Sequence, residues 1–191
     1  LSGLVGSEMC IRDSVQPYPG APRGGDAGIV VPSADGALAV LIDAAGHGLA
    51  AYAVAQKARA AIFENPAAEP DDLLHILNGV LKNTTGAAIS IARLRGDMLS
   101  FAGIGNVAAS IGPQPLLVRF GVVGLRMHQP KLVHATLPKN IWFMMHTDGL
   151  SHPKSIPPGN AKIAATTLIE THSSGSDDAA VLLLRWREAT P

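Results

Sequence analysis

Four aspartates sit where carboxylates are expensive to place. Asp26 follows Gly24-Gly25 at the start of an apolar run, and Asp43 ends the run 38–42, ahead of Ala44-Ala45-Gly46-His47-Gly48. Asp148 follows the run 141–145 and precedes Gly149, while Asp177, with Asp178 beside it, follows Gly175-Ser176 and leads into the run 181–186. A carboxylate at a buried strand end loses on the order of several kcal/mol of hydration unless something compensates it. Strand ends at one edge of a sandwich can converge. Converging carboxylates are satisfied by hard divalent cations such as magnesium or manganese, which prefer oxygen ligands. Neighbouring glycines let backbone carbonyls approach the same cations. Taken singly, each aspartate is better explained as a turn former or helix cap; together they make a candidate carboxylate metal site.

The segments between them must position those ends. Residues 27–31 and 37–42 are β-rich runs joined by a polar turn at 33–36, which predicts a hairpin. The stretch 49–63 predicts a helix, alanine-rich and apolar around most of its circumference, with Lys57 and Arg59 marking a narrow wet edge. Residues 65–70 break it. A second helix starts at Asp71, with Leu73, Leu74, Ile76, Leu77, Val80 and Leu81 on one face and Asp71 and Asp72 complementing the dipole. Strands at 87–94 and 98–104 flank Arg95-Gly96-Asp97, read as a hairpin turn rather than an adhesion motif, because glycine supplies the dihedrals such turns need. Further strands lie at 141–145 and 181–186, with a helix at 161–169 between them. Many strands, few helices and hairpins in place of βαβ alternation predict an α+β or sandwiched antiparallel architecture.

Composition narrows the function. At 191 residues the chain suits one domain and can bury a proper core. Its 15 basic side chains balance 15 acidic ones, so no basic excess exists to displace counterions from nucleic acid or to bind an anionic membrane. One cysteine, Cys10, excludes a disulfide framework and a cysteine-rich zinc site, and suits a reducing cytosol. Within 36–55 only Asp43 and His47 carry side chains that ionise near neutral pH, and the run is about long enough to span a bilayer. A mid-span aspartate beside Gly46 and Gly48 argues instead for a buried strand, a sharp turn and a buried helix. Residues 1–14 carry no basic region ahead of their apolar residues, and LVGSEMCIRDS reads as translated adapter sequence. They are set aside as a non-native leader, leaving 15–191 as a single domain.

Gly25-Asp26, DAAGHG at 43–48 ahead of the alanine-rich helix, GIGN at 103–106, TDGL at 147–150 and SDDAAVLLL at 176–184 occur in an order that resembles the PPM-type metal-dependent serine/threonine phosphatases. The similarity is to their bacterial SpoIIE/RsbX-like branch and spans about residues 24–187; GVVG at 121–124 and the compact size look most like the RsbX type. The resemblance implies an α+β fold, an antiparallel β-sandwich flanked by helices, with metals in a cleft at one edge. It implies hydrolysis of phosphoserine or phosphothreonine on a bacterial stress or sigma-factor signalling protein in the cytoplasm. It also implies two divalent ions, Mn2+ or Mg2+. Asp43 would bridge both, the carbonyl of Ala44 would bind one, Asp148 and Asp177 would bind the other, and Asp26 would lie at or just behind the Ala44 side. Asp43 and Asp148 would carry catalysis, a metal-bridging hydroxide attacking phosphorus without a phosphoenzyme. Asp178 rivals Asp177 as ligand, Ala44 stands where the family often has glycine, and no arginine stands where eukaryotic relatives place a phosphate-binding one.

His47 has two readings: a general acid or phosphate-orienting group, or a residue satisfying backbone groups at a helix N-terminus. Asn106 reads as a structural hydrogen-bonding residue in a turn near the site. His146, two positions before Asp148, shares that residue's face in an extended strand and reads as packing or support for it. His128, His134, His152 and His172 lack metal spacing, and GIGN is too short for a dinucleotide fingerprint. Two other readings use the same residues: a non-catalytic regulatory binding module of the same fold, and a metallohydrolase for small phosphate esters.

Overall fold

A computed structural model of the chain describes residues 7–17, 20, 22–151, 153 and 155–188; residues 1–6 of the leader and His152 lie outside them. The first elements are β1 (Ser7–Gln16), β2 (Asp26–Ser33), β3 (Gly36–Ala44), α1 (Gly48–Glu64) and α2 (Pro70–Val80). A hairpin of β4 (Ala87–Arg95) and β5 (Met98–Ile104) leads into the short strands β6 (Ala108–Ile111), β7 (Gln114–Pro115), β8 (Gly121–Val122), β9 (Arg126–Met127) and β10 (Val133–Thr136). Then come β11 (Phe143–His146), α3 (Ala161–His172) and β12 (Ala179–Glu188). Two five-stranded antiparallel sheets, ordered β1-β12-β11-β6-β7 and β10-β5-β4-β3-β2, stack face to face, and a small β8-β9 ribbon is tied to the start of β4 through the Ala87↔Val123 bridge. The fold is α+β, as expected.

The alternation of side chains along each strand builds the layers. On β3, Ala39 and Leu41 enter the space between the sheets with Phe101, Phe143, Leu182 and Trp186. Leu38, Val40 and Ile42 face the other way and meet α1 and α2 through Ala51, Ala55, Ala58, Leu73 and Leu77. β12 repeats the device: Ala180, Leu182 and Leu184 face the other sheet, while Ala179, Val181 and Leu183 bury against Ala164, Ala165 and Leu168 of α3. Strands buried on both faces read as continuous apolar runs, which is why these two were legible. The alanines of α1 let it lie close to the sheet.

Local rules set the boundaries. Ser33 Oγ donates to Asp35 Oδ1 (2.9 Å) in the β2-β3 turn. Pro70 takes the first turn of α2, where its missing N–H costs nothing. Asn160 caps α3 by accepting from the Ile163 N–H (2.9 Å), and that helix runs to His172, three residues beyond 169. Arg93, only 4% exposed, donates to the carbonyls of Pro66 (2.7 Å) and Ala68 (2.6 Å) and so ties the α1-α2 connection to β4.

Two regions differ from the expectation. Residues 7–14, set aside as a leader, form most of β1, which pairs with β12 from Ser7↔Glu188 to Gln16↔Ala179. Edge pairing draws on backbone N–H and C=O groups that any residue except proline supplies, so side-chain identity does not decide it. Between 108 and 136 the chain makes five strands of two to four residues, too short for a periodic signal.

The sandwich brings the C-terminal ends of β3, β5 and β11 and the N-terminal end of β12 to one edge. There the turn after β11 lies hard against β12: a Cβ on Gly149 would stand 1.9 Å from the Asp178 carbonyl oxygen. Gly149→Ala therefore forces two backbones apart and should lower stability by about 3 kcal/mol. Gly79→Ala, at an exposed site in α2 with no atom near the new methyl, should raise it by roughly 0.5–1 kcal/mol. Urea-unfolding midpoints of both variants check the opposite signs.

Candidate active site

Asp26 and Asp43 are register partners on the antiparallel pair β2-β3, so the hairpin itself sets two carboxyl groups side by side. Asp26 is the deeper, 8% exposed; Asp43 is half-buried and lines a cleft of about 450 Å3. Asp148, from the turn after β11, and Asp177, just before β12, line the same cleft and are exposed to it. His47, Asn106 and Ser176 complete most of its wall. Three of the four aspartates singled out by spacing thus meet around one opening, with the fourth behind them.

Donors hold this acidic cluster in place. Thr147 Oγ1 donates to Asp26 Oδ2 (2.7 Å) and accepts from the Ala180 N–H (2.9 Å), while the Thr147 N–H donates to the Ala180 carbonyl (3.0 Å). That fully buried threonine locks β2 to the β11-β12 edge. Asn106 donates through Nδ2 to Asp148 Oδ2 (2.6 Å) and also hydrogen-bonds Asp43, spanning the two sheets. Asp178 is buried (4% exposed) and accepts from the Gly25 N–H through Oδ2 (2.5 Å). Its neighbour Asp177 accepts the Asp178 N–H (2.8 Å) and keeps its carboxylate at the cleft. Of the two rivals, Asp177 faces the opening and Asp178 ties β12 to the Gly24-Gly25 turn.

Charge is left over. Burial, then Asp43, pushes the Asp26 carboxyl up to about 8; the Thr147 hydrogen bond pulls against this, and Asp178 and Asp177 add to the rise. Burial, then Asp148 and Asp177, pushes Asp43 up to about 7, with the Asn106 hydrogen bond opposing. No lysine or arginine lines the cleft among the described residues. The donors are all oxygens, the set that hard cations such as magnesium and manganese take. Among the described residues no three His, Cys, Asp or Glu side chains are already drawn into a ready-made ligand group. The residues fit such cations by donor type and by uncompensated charge.

The backbone contributes as well. Ala44 is 1% exposed, its N–H donates to the Gly25 carbonyl (3.4 Å), and its own carbonyl lies over Gly25, where a Cβ would stand 2.9 Å away. Only glycine at 25 leaves that approach open. Gly46 and Gly48, at φ +92° and +72°, turn the chain from β3 into α1 with His47 between them. His47 occupies the helix N-cap in extended backbone but its side chain makes no capping bond; it faces the cleft instead. The helix-end role read for its side chain is therefore not taken up. His146 is buried with Nδ1 against the Thr147 carbonyl (3.0 Å), a packing role. Thr147 is the residue the sequence reading missed. Its signal was slight: one hydroxyl in an apolar strand end, just before an aspartate.

No family model matches the chain, and no curated protein does. Solved structures do. RsbX in complex with magnesium is 19% identical with a TM-score of 0.83, over 93% of this chain and 95% of that one. The PP2C phosphatase domain and a regulatory fragment of Bacillus subtilis SpoIIE gives 17% and 0.74 over 97% of this chain and 65% of that one. The Mycobacterium tuberculosis serine/threonine phosphatase PstP/Ppp gives 15% and 0.75 over 93% and 98%. At such identities the likeness is one of fold. The chain has the fold of the PPM-type (PP2C) phosphatases, RsbX and SpoIIE among them, as the order of its motifs implied.

Proposed function

We propose that the chain, β1 included, forms a single metal-dependent phosphatase domain that hydrolyses phosphoserine or phosphothreonine on a bacterial stress or sigma-factor signalling protein. The observation that carries this reading is the meeting of Asp43, Asp148 and Asp177, from three separate strand ends, around one cleft that holds uncompensated negative charge. Asp43, the Ala44 carbonyl, Asp148 and Asp177 would hold two Mg2+ or Mn2+ ions, with Asp26 behind. Cations held there would activate water at neutral pH, orient the phosphate and offset developing charge. Asn106 fixes the angle between Asp43 and Asp148, and Thr147 fixes Asp26. His47, on the cleft wall, would hand a proton to the departing serine oxygen. A cytoplasmic place of action belongs to the same reading.

Turnover of para-nitrophenyl phosphate and of a serine phosphopeptide, with manganese or magnesium and with chelator, tests the reading. Asp43→Asn should cost at least about a hundredfold in kcat/KM, since losing even an indirect partner of a metal ligand costs 10–100-fold. Thr147→Val should cost about tenfold and weaken metal affinity. A folded chain inactive with either metal on both substrates overturns the enzyme and leaves a binding module.

The carboxyls also set a pH dependence. Asp26 and Asp43 bind protons more tightly folded than unfolded, so between the unfolded value of 3.8 and about 8 the native state carries the extra protons. Stability of the metal-free chain should fall as pH rises through that window. Thermal melts in chelator from pH 5 to 8 should show the fall, magnesium should reverse it, and Asp26→Asn should flatten it.

A further inference from the structure

Asn106 belongs to two openings. On one side it lines the acidic cleft; on the other it borders a depression of about 250 Å3 walled by Val107, Ala108, Pro115, Leu116 and Val118. The two are therefore contiguous, yet their chemistry is opposite: carboxylates on one side, aliphatic carbon on the other. The depression is smaller than the roughly 300–1,000 Å3 of sites that enclose a small molecule. It has room for one apolar side chain.

The walls are well made. The Leu116 N–H donates to the Ala109 carbonyl (2.8 Å), and Arg119 bonds Gly103 and Gly105 through its N–H and carbonyl (2.9 Å each), holding 116–119 beside the end of β5. Val118 packs towards the core between the sheets and contacts the face of Gly103. Phe120, at the bend that follows, is 87% exposed and stands outside these walls.

We propose that this depression is a specificity subsite of the phosphatase: it receives an apolar side chain of the substrate polypeptide lying within three residues of the phosphorylated one. The inference rests on the phosphatase reading above and adds the substrate class. A polypeptide whose phosphoresidue enters the cleft must lay its neighbours on the rim. An extended chain advances about 3.3 Å per residue, so a near neighbour of the phosphoserine reaches the far side of Asn106. Carboxylates elsewhere on the rim offer an apolar side chain nothing.

The test uses the intact chain with magnesium and a set of serine phosphopeptides, each with one leucine between −3 and +3 and glycine elsewhere. One position should give kcat/KM about tenfold above the all-glycine peptide. Ala108→Phe, which fills the depression, and Leu116→Ala, which removes one of its apolar walls, should each erase that preference and leave para-nitrophenyl phosphate turnover unchanged. No leucine preference at any position, or variants that depress both substrates alike, overturns the subsite. Fluorescence anisotropy of the labelled peptides separates this from the parent reading. A leucine preference in binding that both variants remove, without hydrolysis of any substrate, keeps the subsite and sinks the phosphatase. Equal binding of all peptides sinks the subsite whatever the turnover.

Discussion

Repulsion between buried carboxylates at one edge of the sandwich is the constraint around which this molecule is arranged. Asp26 and Asp43 are set side by side by the hairpin register, and Asp148 and Asp177 are brought to them from the other sheet. Burial and like charge push the first two towards neutrality. A fold selected for stability alone would not gather them. Their coexistence at one edge requires either protons or a compensating cation.

The rest of the architecture can be understood as a frame that resists this repulsion. Three of the carboxyls are held by donors from other elements: Thr147 from the β11 turn to Asp26, Asn106 from the β5 end to Asp148, the Gly25 N–H from the β2 approach to Asp178. The close approach of backbones at Gly149 and Gly25 is what lets those donors reach. The frame itself is stiffened by three apolar layers, one between the sheets and one beneath each helical face. The site therefore depends on packing far from it, because sliding one sheet over the other by more than about an ångström would break the Asn106 and Thr147 links.

The structural relatives share about a sixth to a fifth of their residues with this chain and nearly all of its fold. That combination follows from how the fold is specified. The layers need only apolar residues in alternation, which many sequences satisfy. The glycines and aspartates at the edge have no such freedom. Glycine is required where one backbone lies on another, and an acidic side chain where charge must be held.

How much was readable in the residues follows the same division. The runs of β3, β4, β5, β11 and β12, the three helices and the hairpin turns were legible because burial on both faces and capping rules leave local patterns. The four aspartates and their order also stood in the sequence, and with them the family likeness. The short strands from β6 to β10 were not legible, since two to four residues carry no period and take their shape from the edges they cover. Nor was β1, whose pairing depends on the free edge of β12 rather than on its own side chains. The sequence by itself determined which residues must be buried, where the chain turns and which acids were candidates. Only the tertiary structure decided that Asp177 faces the cleft while Asp178 is tied to Gly25, that His47 faces the opening instead of capping its helix, and that Thr147 and Asn106 join the two sheets. Those outcomes depend on contacts between segments up to 153 positions apart, and no local pattern encodes which side of a strand end a distant donor will reach.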